Sequence, residues 1–194
     1  GFKLSPDAIE QIRICAACRY INFRRKSLKN ERLKLAIRIA DVLHMDTSGH
    51  YTTPFGKFWI VHIIDEYLRY LRVASVQNQA DVANVVDRVL FEDFNCFRYH
   101  PSIVVRDKGT EFLKVQHSAV TVIASAPTGN KQANEISERG IQTFKRLYRL
   151  LSCHLEKRTV NYYFSHLVLF TAVMYNALPH SAIDYSSPAS RYYS

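Results

Sequence analysis

The sequence predicts an α/β sandwich on a mixed sheet, and three observations carry that prediction. Two runs rich in β-formers, Lys57 to Asp65 and Tyr67 to Val76, are separated by almost nothing and read as antiparallel neighbours. Two short continuous apolar runs, Ile103 to Val105 and Ala119 to Ala124, carry the mark of strands buried on both faces. From Asn134 onward the apolar spacing is helical almost to the end of the chain. Strands, then a helix, then strands, then helices is the order of an α/β sandwich.

The elements follow from local chemistry. The opening reads as a helix with Ser5 as N-cap, Pro6 at the first helical position and Asp7 in the first turn. Ala8, Ile9, Ile12 and either Cys15 or Ala16 recur along one of its faces. A basic, polar connector runs from about Arg24 to Lys34. Val42 to Met45 is a short strand candidate that ends at Asp46. Gln79 to Phe94 has a helical pattern, with Val82, Val85, Val86, Val89 and Leu90 as its apolar positions. The helical pattern after Asn134 is interrupted near Lys157 and Arg158 and ended by Pro179. There is no internal repeat and no low-complexity tract.

Composition bounds the function. The chain has 194 residues, 47% apolar and 22% charged, enough for one domain with a real core. No apolar run of about 18 residues occurs, so no membrane span is expected, and no secretory signal opens the sequence. Four cysteines are too few for a disulfide scaffold and fit reduced thiols in an intracellular setting. Lysine and arginine number 26 against 17 acidic residues, a net charge of +9. Residues 1 to 35 hold nine of the bases and only three of the acids. Such density fits contact with a polyanion, most often nucleic acid, or a solvated face, and charge alone leaves both open.

Chemistry begins with the carboxylates. Asp46 follows one strand candidate and Asp107 lies just past another. Ligands gather at the carboxyl ends of parallel strands, so the two could share one crevice if their strands are neighbours. Two carboxylates there would repel each other unless a hard cation such as Mg²⁺ or Mn²⁺ sat between them. Turn capping is the plainer alternative. On the helix after Asn134, Ile136, Gly140, Phe144, Leu147 and Leu151 form the core stripe. Glu138, Gln142, Lys145 and Arg149 run along the other side. Glu138 and Lys145, close to two turns apart, project in nearly the same direction. That pairing suits a site holding metal and phosphate together, or an ordinary amphipathic surface.

These blocks, in this order, resemble the integrases of LTR retrotransposons and retroviruses. The resemblance rests on His44-Met45-Asp46, on Asp107-Lys108-Gly109-Thr110-Glu111-Phe112, and on Glu138-Arg139-Gly140-Ile141-Gln142-Thr143-Phe144-Lys145. The middle block is similar to the family's Asp-Asn-Gly-x-x-Phe, with Lys108 in place of Asn. Lys57 to Val73 is similar to the family's second and third strands. Tyr175-Asn176, Pro179-His180 and Ser187-Pro188 resemble its closing helix and tail.

The resemblance implies an RNase H-like three-layer sandwich with a mixed five-stranded sheet flanked by helices. It divides the chain into the end of a zinc-binding-like module plus basic linker (1–35) and a catalytic core (36–194). It implies Mg²⁺- or Mn²⁺-dependent processing and joining of DNA 3′ ends, with Asp46, Asp107 and Glu138 as catalytic residues and metal ligands. DNA contacts would come from Arg24, Arg25, Lys26, Lys131 and Lys145. DNA and further copies of the chain are the implied partners, and the nucleus is the implied compartment. Cys15 and Cys18 match the cysteine pair of the family's His-His-Cys-Cys zinc module. No histidine precedes Cys15, so a complete Zn²⁺ site is expected only in a longer chain.

Thirty residues separate Asp107 from Glu138, fewer than in the family, whereas the stretch from Pro127 to Glu138 is longer than the family's, which leaves Glu135 as a rival third ligand. Glu138 is preferred because Arg-x-Ile-Gln-Thr follows it directly. An inactive, domesticated DNA-binding relative and an RNase H-fold nuclease are the competing functions. Elsewhere the sequence predicts structural roles: Asp65 at a strand turn, His44 flanking a strand, Trp59 in the core or a subunit contact, and Cys96 and Cys153 as core thiols.

Overall fold

The structure, a computed structural model, describes residues 36–90, 92, 101–106, 122–125 and 135–194, with the backbone alone for 106 and 122–125. Five strands form one sheet: β1 (Val42–Thr53), β2 (Gly56–Asp65), β3 (Leu71–Val76), β4 (Ile103–Arg106) and β5 (Val122–Ser125). Their order is β3-β2-β1-β4-β5. The first three are antiparallel neighbours, and β4 joins β1 and β5 in parallel. The sheet is mixed, as the sequence predicts. Among the described residues five α-helices accompany it: α1 (Val82–Val89), α2 (Glu135–Ser152), α3 (Lys157–Tyr162), α4 (Phe164–Ala177) and α5 (Pro188–Tyr192).

The pleat separates two cores. Leu43 and Met45 of β1, Val61 and Ile63 of β2, and Val104 of β4 meet Val82, Val86 and Leu90 at α1 and Tyr192 of α5. On the opposite face Ile60, Ile64, Leu71 and Val73 meet Ile136 and Phe144 of α2 and Phe164, Val168 and Tyr175 of α4. Strand alternation therefore turns His44, Asp46 and Ser48 toward the α2 side of the sheet. Helices on both faces of one sheet make the three-layer sandwich. Among the described residues, no helix is long and apolar enough to cross a membrane.

Several boundaries differ from the expectation, each for a local reason. The first strand is 12 residues long and contains Asp46 instead of ending before it. Gly49, with φ +139°, lies against the β2 backbone at Phe58 and Trp59, where the register shifts in a bulge that lets the strand continue. The strand expected from Tyr67 begins only at Leu71. The buried Asp65 carboxylate holds the intervening turn, accepting from the N–H of Ala40 at 2.6 Å and of Leu68 at 2.5 Å. Burial raises its pKa to about 6 against those hydrogen bonds, so the structural role expected of Asp65 holds. A 3₁₀ turn over Gln79–Asp81 precedes α1. The interruption expected near Lys157 and Arg158 is present over residues 153–156, just before Lys157 opens α3. Cys153 is exposed there, its thiol donating to the Leu150 carbonyl at 3.1 Å, and so is not the expected core thiol.

Candidate active site and nucleic-acid interface

The site is assembled where the parallel half of the sheet meets the antiparallel half. The β1–β4 register runs Val42 to Ile103, Leu43 to Val104, His44 to Val105 and Met45 to Arg106. Asp46 is therefore the next residue of β1 beyond the last paired position, on the face that α2 covers. It is half-buried, and its Oδ1 accepts from the Thr47 N–H at 2.7 Å. Across the antiparallel pair it stands opposite His62.

His62 is buried beneath α2. Its Nε2 lies 2.8 Å from the Ser48 hydroxyl, and its ring meets the edge of Phe144 at 5.0 Å between centroids. Burial, with a smaller contribution from the Lys145 charge, lowers its pKa to about 3. The ring is thus neutral at pH 7, and Lys145 stands near enough to act on it. One strand pair away, His44 Nε2 and Glu66 Oε2 lie 2.8 Å apart, both side chains buried. His44 sits within the strand as part of this buried pair, where the sequence predicts only a flanking role.

A stability consequence follows from His62. A histidine whose folded pKa is depressed contributes fully above its unfolded value, and that contribution fades as pH falls from about 6.5 toward 3. Urea unfolding of the wild type and of His62→Gln, which keeps a partner for Ser48, isolates it. Relative to the variant, the wild-type folding constant is expected to fall by roughly tenfold per pH unit between about 6 and 4. Parallel profiles would show that the imidazole protonates without cost in the fold.

On α2, Glu138 is exposed and Lys145 half-buried, both on the flank that overhangs β1 and β2. Lys145, Arg149, Tyr51, Tyr148 and Phe144 line an open cleft of about 310 Å³. Two cations beside two tyrosines suit a nucleic-acid strand, which offers phosphates and ring faces together. Glu135 is ion-paired with Arg139, and both line a different cavity from the Lys145 cleft. Asp107, Lys131, Cys15, Cys18, Arg24, Arg25 and Lys26 lie outside the described residues. Among those described, no group of three His, Cys, Asp or Glu side chains is placed to hold a metal ion. The described part of the site therefore brings together Asp46, His62, Ser48 and Lys145, with Glu138 at the helix margin. Sequence reasoning missed His62 and Ser48; period-two alternation from Asp46 puts Ser48 on its face, whereas His62 joins them only through the β1–β2 register.

No family model and no curated protein matches the sequence. Solved structures do match. A chain of the simian T-cell lymphotropic virus intasome in complex with PP2A regulatory subunit B56 gamma superposes with a TM-score of 0.64 at 12% identity, covering 99% of this chain and 68% of that one. The catalytic core domain of BIV integrase superposes with a TM-score of 0.57 at 14% identity, covering 79% of this chain and 94% of that one. The chain has the fold of a retroviral integrase catalytic core.

Proposed function

We propose that this chain is the catalytic core of a retrotransposon-type integrase that cuts and joins DNA ends with divalent metal. The observation that carries the reading is the parallel β1–β4 register. Met45 lies beside Arg106, and the residues that follow them in sequence are Asp46 and Asp107. Asp46, Asp107 and Glu138 would together supply a donor set of hard oxygens, the kind that takes Mg²⁺ or Mn²⁺.

Ions held by Asp46, Asp107 and Glu138 would activate a water or DNA 3′-hydroxyl and stabilise charge on the phosphodiester. The other residues bind and orient. Lys145 and Arg149 neutralise backbone phosphates, and the faces of Tyr51 and Tyr148 pack against bases or sugars. Neutral His62 packs under Phe144 and braces Ser48 on the floor beside Asp46, adding no charge that would compete with a cation. Arg24, Arg25, Lys26 and Lys131 extend the phosphate contacts. Cys15 and Cys18 would supply two of the four ligands that a structural zinc site needs. A DNA target puts the work in the nucleus.

The test is a nicking and joining assay on model DNA ends with Mn²⁺ or Mg²⁺. Wild type is expected to act, and Asp107→Asn to abolish activity without unfolding. Strand transfer that survives Asp107→Asn would overturn the metal-carboxylate reading. Tight DNA binding without activity under any condition would instead favour the domesticated platform.

The same reading includes self-association. On α4, Leu169, Phe170 and Val173 are 53%, 50% and 63% exposed on the outer side. A contiguous apolar helix face of this kind suits a second copy of the chain. Phe170→Glu is expected to shift the sedimenting species from dimer to monomer. An unchanged sedimentation coefficient would move the interface elsewhere.

A further inference from the structure

On the other flank of α2 from Lys145, a cavity of about 260 Å³ opens between α2, the end of α4 and the turn that joins β2 to β3. Its polar walls are Arg69, Arg139, Thr143, Tyr175, His180 and Glu135. The floor is apolar and fixed: Gly140 lets α2 approach so closely that a Cβ there would overlap Cδ1 of Ile64. Nothing in the site proposed above uses this cavity.

The charge in it is uneven. Arg69 reaches the cavity from a left-handed backbone position, φ +63°, in the turn that Asp65 holds. Its guanidinium lies close enough to Tyr175 and His180 for its charge to act on both. Arg139 stands across the cavity on α2, held by Glu135 one turn earlier. His180 Nε2 donates to the Tyr175 carbonyl at 3.1 Å, and burial keeps its ring neutral at pH 7. Two guanidinium forks and the hydroxyl residues Thr143, Tyr175 and Ser181 line this space; Glu135, its one lining carboxylate, is paired with Arg139, and the Arg69 charge also acts on the buried Asp65 carboxylate.

We propose that this cavity is a phosphate-binding site, in which Arg69 and Arg139 clamp the anion while the Thr143 and Tyr175 hydroxyls donate to its remaining oxygens. Arginine forks match phosphate oxygens in bidentate geometry, and two hydroxyl donors complement them. Size narrows the ligand. The cavity falls just below the usual range for ligand pockets, enough for a phosphate and an attached sugar but not for a duplex. The phosphate could be free, on a small sugar phosphate, or at the end of a DNA strand. Glu135 acts as a gate on affinity, because it repels the anion and occupies Arg139.

Calorimetric titration of the whole chain with inorganic phosphate tests this, with arms using ribose 5-phosphate and a short oligonucleotide carrying either a 5′-phosphate or a 5′-hydroxyl. One saturable site is expected. Arg139→Gln, on a side chain 62% exposed, should weaken it about tenfold, as for one charge-assisted hydrogen bond. Glu135→Gln should tighten it. Circular dichroism of each variant verifies the fold. Preference for the 5′-phosphorylated oligonucleotide assigns the phosphate to a DNA end; equal affinity for phosphate and ribose 5-phosphate without that preference assigns it to a small molecule. Either result supports the site. Absence of saturation with every probe overturns it, as does saturation that neither Arg139→Gln nor Glu135→Gln alters.

Discussion

Glu138→Gln is expected to lower DNA strand transfer about a thousandfold, while Glu135→Gln leaves it within a few-fold. A carboxylate that holds a metal at the reacting phosphate supports several kcal/mol of charge stabilisation, and about 4 kcal/mol corresponds to that factor in rate. The two glutamates are one turn apart on α2, yet their surroundings differ. Glu135 is ion-paired with Arg139 and lines the Arg69 cavity. Glu138 is exposed two turns before Lys145, whose charge is felt by His62, the residue opposite Asp46. Single-turnover joining rates with Mn²⁺ separate them, because they exclude product release. A thousandfold loss in Glu135→Gln with Glu138→Gln near wild type would reassign the third ligand, leaving Asp46 and Asp107 in place.

Much of this arrangement was legible in the sequence, and the parts that were not have physical reasons. Continuous apolar runs marked where β4 and β5 fall, since a run without polar alternation is the pattern of an interior strand. The α2 stripe was legible because Ile136, Gly140 and Phe144 pack against one sheet face at helical spacing. Gly49 was not legible as a bulge: read locally it looks like a strand breaker, and only pairing with β2 along its length shows that β1 runs on. The turn before β3 misleads in the opposite direction. Tyr67, Leu68 and Tyr70 have strand propensity, but the Asp65 carboxylate captures the Leu68 N–H and outcompetes it. His62 was invisible as a site residue because an isolated histidine in an apolar strand carries no spacing signal. Its meaning comes from register, which places it across from Asp46. Cys153 fell outside the core because α2 ends at Ser152, releasing the next residues to solvent.

The largest stability effect is expected at Asn176, and it bears on how the site is held. Its side-chain Oδ1 accepts from the Leu71 N–H and its Nδ2 donates to the Leu71 carbonyl, each at 2.8 Å. Leu71 opens β3, the edge strand beside β2, and both residues are buried. One amide thus serves both backbone groups that the edge strand cannot pair with another strand. Asn176→Ala leaves a buried N–H and a buried C=O without that partner, at about 1–3 kcal/mol each, so a loss of roughly 2–6 kcal/mol is expected. Against a typical total of about 5–15 kcal/mol this is a large fraction. Val173→Ala, one turn earlier on the exposed side of the same helix, should cost only a small part of that, which isolates the hydrogen bonds from any general weakening of α4. Asn176→Asp adds a second control. It keeps an acceptor for the N–H but faces the Leu71 carbonyl with negative charge, so it should rescue little. Urea midpoints at constant m-value measure all three. Because α4 packs on α2, which carries Glu138 and Lys145, a destabilised Asn176 variant should also lose strand transfer on warming before wild type does. If Asn176→Ala unfolds at the wild-type midpoint, the β3 edge is held by apolar contacts with α4 alone.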